Sequence, residues 1–184
     1  MKLLILVHND FNNIELGTTY SIFNYFNHFD KITIFNPNKN LKSVTGQGNV
    51  LKLDCENKIN IEEYDAIFIP GGKGAQTLRK DKESLNAIKH FKDKNKYIFA
   101  ICDAPNVLYE NNIIDDSINY SSYPISSNFK HGLKRNKKNV TIDGKIVTGK
   151  CPSASLEFAL EILKLLFNID EVNDFIKYMK ADLE

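Results

Sequence analysis

Tyr97-Ile98-Phe99-Ala100-Ile101-Cys102-Asp103-Ala104-Pro105 is an apolar run that stops at a cysteine and gives way at once to the helix-like Asn106-Val107-Leu108-Tyr109-Glu110. A reactive side chain on a strand-to-helix turn has the geometry of a nucleophile elbow, in which the turn lifts the side chain out of the sheet. The amides that open the following helix point back at the sulfur and favour the thiolate, so Cys102 is expected to be the acidic thiol of this chain. The plainer alternative is a buried structural cysteine. Its neighbours must decide.

Short apolar runs alternate with helical periodicity on both sides of this segment. That is the pattern of an α/β fold, a mostly parallel sheet with helices on both faces. Strands are expected at residues 3–7, 31–35, 66–69, 97–101 and 145–148. Between the first two lies a helix with the apolar stripe Ile14, Thr18, Ile22, Tyr25, Phe26 and Phe29, preceded by the cap candidates Asp10, Asn12 and Asn13. A second helix is expected over 76–94 with Leu78, Leu85, Ile88 and Phe91 inward. A third, over 155–167, carries Leu156, Ala159, Leu160, Leu163 and Phe167, and a last, over 171–183, buries Val172, Phe175, Ile176 and Met179. Residues 43–54 suggest a small hairpin, and Asp143-Gly144 marks a stronger one between two alternating strands. No linker or repeat is visible, so residues 1–184 read as a single domain.

Composition narrows the class. The chain has 184 residues, 42% hydrophobic and 26% charged, with a formal net charge of +1, which suits a soluble domain with a sizeable core. Neither nucleic acid nor a membrane is expected as a partner. The Lys-rich stretch 130–138 has no interleaved aromatic residue and reads as a solvated loop. Cys55, Cys102 and Cys151 are an odd number without metal-type spacing, and Met1 to Val7 reads as a first buried strand rather than a leader. A reducing cytoplasm, free thiols and no cofactor or metal are the expectations.

In an open parallel sheet, ligands bind at the carboxyl ends of the strands. His8 and Asn9 end the first strand there, and Glu15 opens the first helix. Pro70-Gly71-Gly72-Lys73-Gly74-Ala75 follows another strand and Cys102 a further one. The glycines let backbone approach a ligand and leave amides exposed, the makings of an oxyanion hole. The segment lacks the ending of a nucleotide phosphate loop. Glu15 beside a thiol could accept its proton or, if burial raises its pKa, donate a hydrogen bond to a thiolate or oxidised sulfur. At an exposed helix start the same carboxylate would merely complement the helix dipole.

Ile67-Phe68-Ile69-Pro70-Gly71-Gly72 with Gly74-Ala75-Gln76, then Ala100-Ile101-Cys102-Asp103-Ala104-Pro105, then Ser155-Leu156-Glu157-Phe158-Ala159-Leu160 resemble the ThiJ/PfpI superfamily. Within it the likeness is to the branch of the Parkinsonism-associated protein deglycase. It extends to Glu15 and spans essentially the whole chain. The resemblance implies a flavodoxin-like sandwich, a homodimer, Cys102 as nucleophile with Glu15 hydrogen-bonded to it, and an anion hole from the amides of Gly72 and Asp103. The crowding of Phe23, Tyr25, Phe26 and Phe29 on one helix agrees with a second copy. The implied activities are glutathione-independent glyoxalase or deglycase chemistry on a small aldehyde or glycated substrate, amidase or peptidase action, and oxidative-stress sensing or chaperoning.

The chain departs from that pattern in several places. Ser121-Ser122-Tyr123-Pro124 puts Tyr123 where relatives carry a histidine before a proline, and a phenol with an ordinary pKa near ~10 is a weak base at neutral pH. His8 could replace the missing imidazole, although a strand-end histidine is more often simply hydrogen-bonded, whereas His28, His90 and His131 read as surface residues. Asp103 sets a carboxylate beside the nucleophile, which would raise the thiol pKa if turned inward and is expected to point outward. The turn after Gly72 is one residue shorter than in many relatives, and Cys151 stands where a glycine is common. A cysteine enzyme acting on reactive carbonyls in stress protection is the leading expectation. A non-enzymatic redox sensor or chaperone is the alternative. Peptidase action, which needs an acid for the leaving amine, ranks below both.

Overall fold

A computed structural model of the chain describes residues 1–124 and 131–182. In chain order its strands are β1 (Lys2–Leu6), β2 (Lys31–Phe35), β3 (Ser43–Thr45), β4 (Lys52–Asp54), β5 (Ala66–Ile69), β6 (Tyr97–Ile101), β7 (Tyr120–Ser121), β8 (Arg135–Asn136), β9 (Val140–Asp143) and β10 (Ile146–Gly149). The helices are α1 (Asn13–Phe26), α2 (Gly74–Leu78), α3 (Lys82–Asp93), α4 (Ala104–Glu110), α5 (Ser155–Leu166) and α6 (Ile169–Met179). Six strands form the main sheet in the order β2-β1-β5-β6-β10-β9, parallel except for the edge strand β9.

Alternation along each strand sends successive side chains to opposite faces, and here both faces are covered. Leu3, Ile5, Phe68, Phe99 and Val147 pack against Leu16 and Phe23 of α1 and Phe158 and Ile162 of α5. On the other face Leu4, Leu6, Ile67 and Ile98 meet Ile88 and Phe91 of α3 and Val107 and Leu108 of α4. This two-faced burial is why β1, β5 and β6 read as continuous apolar runs rather than as alternating ones. Both expected hairpins form, β3 with β4 and β9 with β10, the latter turning through Gly144 at φ 57°.

Several helix expectations need correcting. The side chain of Asn12 caps α1, accepting the amides of Ile14 at 3.0 Å and Glu15 at 3.2 Å. The buried face is Glu15, Leu16, Thr19, Ile22, Phe23 and Phe26, and Ile14 and Tyr25 are instead 57% and 60% exposed. A count of apolar residues misplaces the stripe because its first inward residue is a carboxylic acid. The helix expected over 76–94 is broken in two by Asp81, whose side chain accepts the Glu83 amide at 3.1 Å and starts α3 anew. In α5, Phe158 and Ile162 go inward and Leu156 is exposed. In α6, Val172 is buried but Met179 is exposed, and the expected end at Leu183 lies outside the described residues.

The phenylalanines of the aromatic crowd on and just after α1 are covered within the chain. Phe23 and Phe26 are buried, Phe26 and Phe29 meet Phe167 at ring-centroid distances of 5.3 and 5.2 Å, and Phe26 meets Phe175 at 5.2 Å. Tyr25 donates its hydroxyl proton to the Tyr178 hydroxyl at 2.7 Å. The phenylalanines therefore need no second copy to shelter them, whereas Tyr25 stays exposed.

The Lys-rich stretch is more ordered than a solvated loop. Lys130 lies outside the described residues, but β8 pairs in parallel with β7 and Arg135 donates to the Ser122 hydroxyl and carbonyl.

Candidate active site

From β1 the chain moves outward to β2 and then returns to β5 on the opposite side of β1, which makes a crevice above the carboxyl ends of the strands at this reversal. Glu15 enters it from α1, Gly71 and Gly72 from the end of β5, and Cys102 from the end of β6.

Cys102 takes φ 65°, a left-handed conformation uncommon outside glycine and typical of a strained functional turn. Its backbone is pinned at both ends, the amide donating to Gly149 O at 2.9 Å and the carbonyl accepting from the Tyr123 amide at 2.8 Å. Pro105, in the first turn of α4, starts the helix where a missing N–H costs nothing. Gly71 allows the close approach. A Cβ there would lie 2.7 Å from Cys102 Cβ and 2.8 Å from Glu15 Oε2.

Glu15 is wholly buried. Its Oε2 accepts the Gly71 amide at 2.8 Å, Oε1 has no hydrogen-bond partner, and the carboxyl lies beside the Cys102 thiol. Burial pushes this carboxyl up to about 7; the thiol and the Gly71 amide oppose the rise, and the Asp103 charge adds to it.

The expectation of an acidic Cys102 is overturned in direction. Burial pushes the thiol up, and the Glu15 carboxylate adds to that through its charge and its hydrogen bond, while the amides of Gly72 and Asp103 aimed at the sulfur pull the other way. Desolvation outweighs two amides because removing water destabilises the anion from every side. Two groups this close titrate as a pair.

A cavity of about 290 Å³ opens over the sulfur, lined around Cys102 by Asn12, Gln47, Lys73, Gln76, Tyr123 and Pro152. Tyr123 thus borders the nucleophile. His8 does not. Its Nε2 lies 3.0 Å from the Ser84 hydroxyl and its Nδ1 3.3 Å from Asn36 Nδ2, and burial lowers its pKa, with Asp81 opposing. It borders a different cavity of about 510 Å³ with Asn9, Asn38 and Thr77, so the expectation that it replaces the missing imidazole is corrected.

Asp103 does not point to solvent: it is buried, and both its oxygens accept from a guanidinium. Arg79, which the sequence did not single out, holds it. Cys55 is half-buried against Leu41 O, and Cys151 is half-buried beside the Ser153 hydroxyl, so all three thiols are free. His28 and His131 are exposed as expected, but His90 is half-buried. Gln47 lines the cavity without having been signalled, and Lys73 and Gln76 line it too, having been quoted only as parts of the glycine-turn motifs without a role. Asn12 was legible as a cap and not as cavity lining. Among the described residues no helix is long and apolar enough to cross a membrane.

The model of the DJ-1/PfpI family matches residues 1–165. An uncharacterised protein of Mycoplasma genitalium is 33% identical over 177 residues, 95% of this chain and 93% of its own length. A deglycase of Pyrococcus horikoshii is 26% identical over 170 residues, 90% of this chain and 99% of its own. The solved structure of oxidised DJ-1 from Toxoplasma gondii superposes with a TM-score of 0.78 at 23% identity, covering 97% of each chain. The flavodoxin-like α/β architecture is thus shared with a solved relative.

Proposed function

Because the chain belongs to the DJ-1/PfpI family, we propose that it is a cysteine-dependent enzyme acting on small reactive carbonyls or their adducts on proteins, with Cys102 as nucleophile and Glu15 as its acid–base partner. The observation that carries this reading is the buried Glu15 carboxyl beside the thiol, raised to about 7. An acid–base group works best when its pKa lies near the working pH, and a thiol pushed up by burial needs such an acceptor.

With methylglyoxal the steps balance without a cofactor. Glu15 takes the Cys102 proton, the sulfur bonds to the aldehyde carbon, and the protonated Glu15 returns its proton to the new alkoxide, giving a hemithioacetal. Glu15 then removes the hydrogen on that carbon and returns it to the neighbouring carbonyl carbon, while the hydroxyl proton passes from the first oxygen to the second. The first carbon is oxidised and the second reduced, leaving a lactoyl thioester. Water breaks the carbon–sulfur bond, releasing lactate and restoring the thiol. The amides of Gly72 and Asp103 are placed to stabilise negative charge at the sulfur. Tyr123 borders the cavity where relatives carry a histidine, and so the turnover is slow for the family. The deglycase name of the Pyrococcus relative supports the same substrate class.

The test is methylglyoxal consumption by the natural protein, Cys102→Ser and Glu15→Gln. Loss of activity in both variants supports the reading, and full activity in Cys102→Ser refutes it.

A second reading, an oxidation sensor, is favoured by one observation. A carboxyl still protonated near neutral pH can donate a hydrogen bond to a sulfinate, the product of two successive oxygen transfers from peroxide. Stable gain of two oxygens at Cys102 with no carbonyl turnover would select it. The homodimer and the cytoplasmic location are proposed from the family resemblance.

A further inference from the structure

Asp103 follows Cys102 and occupies the N-cap position of α4, where an aspartate ordinarily accepts amides of the first turn. Here its side chain makes no such bond. Arg79, which closes α2, reaches it with both arms of the guanidinium, Nη1 donating to Oδ2 at 2.6 Å and Nη2 to Oδ1 at 2.8 Å. The Arg79 Nε donates to Glu110 Oε2 at 2.7 Å. Asp103 precedes α4 and Glu110 ends it, so one guanidinium ties both ends of the elbow helix to the helix that follows the glycine turn. Arg79 and Asp103 are 17% and 10% exposed, sheltered enough that solvent screens this pair less than a surface bridge. Asn106 Nδ2 extends the network by donating to Asp103 Oδ1 at 3.0 Å and to the Tyr123 carbonyl at 3.1 Å.

We infer that Arg79 is a positioning residue for Cys102: it holds the Asp103 carboxylate away from the sulfur and keeps the Asp103 amide aimed at it. The inference rests on reading Cys102 as a reactive thiol. A carboxylate beside a nucleophilic sulfur opposes the thiolate, and the sequence supplies one at the residue where an amide must also serve the anion. A planar fork that takes both oxygens resolves the conflict, since it neutralises the charge and fixes the direction of the side chain together. The Asp103 charge still reaches Glu15, which it pushes up, whereas Cys102 feels Asp103 through the amide. The other titratable groups bordering the sulfur are Glu15 from α1, Lys73 in the glycine turn and Tyr123.

The experiment is the alkylation rate of Cys102 by iodoacetamide against pH, read on the Cys102 peptide by mass spectrometry, in the natural protein, Arg79→Gln, Asp103→Asn and the double variant. Arg79→Gln is expected to slow alkylation at neutral pH about tenfold and to move the pH midpoint up by about one unit, since a carboxylate released beside an anionic site pushes it up by that order. Adding Arg79→Gln to Asp103→Asn should change the rate less than twofold, because no carboxylate remains to be held. That comparison stands even if Arg79→Gln alone fails to fold. Equal rates in Arg79→Gln and the natural protein overturn the assignment, as does a tenfold slowing by Arg79→Gln in the Asp103→Asn background. Alkylation does not depend on carbonyl turnover, so a normal Arg79 effect with no methylglyoxal consumption would sink the enzyme reading alone. A Cys102 inert in the natural protein would overturn both.

Discussion

Replacing Glu15 by glutamine should stabilise the protein at alkaline pH and not at acid pH. The Glu15 carboxyl is wholly buried and raised from 4.5 to about 7. Below about pH 4.5 it is protonated in both the folded and unfolded chain and contributes no pH dependence. Between 4.5 and about 7 the folded chain keeps a proton that the unfolded chain has lost, so stability falls as pH rises through this window. Above it the full difference applies, about 3 kcal/mol at about 1.4 kcal/mol for each tenfold change in proton affinity. Glutamine keeps the acceptor for the Gly71 amide and cannot ionise. Its buried NH₂ replaces Oε1, and leaving that group without an oxygen partner costs about 1 kcal/mol. Glu15→Gln should therefore be less stable than the natural protein by about 1 kcal/mol at pH 4.5 and more stable by about 2 kcal/mol at pH 8. Urea unfolding at the two pH values measures both differences. A difference that stays constant with pH would refute the burial argument, because only an ionisable side chain can produce the slope.

Gly71→Ala should cost about 1–3 kcal/mol and abolish carbonyl turnover, since the added carbon would press on Cys102 and Glu15 together; denaturant midpoints and turnover check it. Asn12→Ala should cost about 1 kcal/mol through the lost cap of α1, read in the same unfolding assay. Tyr123→His should raise methylglyoxal turnover by about tenfold or more, within the ~10²–10⁴-fold that a positioned acid–base group contributes, while His8→Ala should leave turnover within about twofold. An unchanged Tyr123→His rate, or loss of activity in His8→Ala, would show that the proton path lies elsewhere. Sedimentation should find a homodimer at micromolar concentration, and a monomer would remove that proposal.

The inner strands were legible because β1, β5 and β6 are short runs of apolar residues between breaks, and a strand buried on both faces needs nothing else to announce it. Cys102 and the glycine turn were legible for a related reason, as breaks immediately after such runs. The rotation of α1 was not. Its inward face begins with Glu15, and a rule that sends carboxylates outward places Ile14 inside instead. Glu15 was nonetheless read as the partner of Cys102, from its place beside the thiol and from the family resemblance. Arg79 could not be found because it and Asp103 are 24 residues apart and meet only once two helices have packed. His8 was read correctly as a strand-end residue, but the sequence does not say that it leans toward Ser84 and Asn36 rather than toward the sulfur. The aromatics on and just after α1 that were taken to call for a second copy have Phe167, Phe175 and Tyr178 as their partners within the chain.

The central claim is that Cys102 attacks a carbonyl carbon, and rapid quenching of the protein with methylglyoxal tests it most directly. The account predicts a lactoyl group on the Cys102 peptide at early times, its decay matched by the appearance of free lactate, and neither signal in Cys102→Ser. Adducts confined to lysine and arginine side chains, with lactate appearing equally in Cys102→Ser, would contradict it.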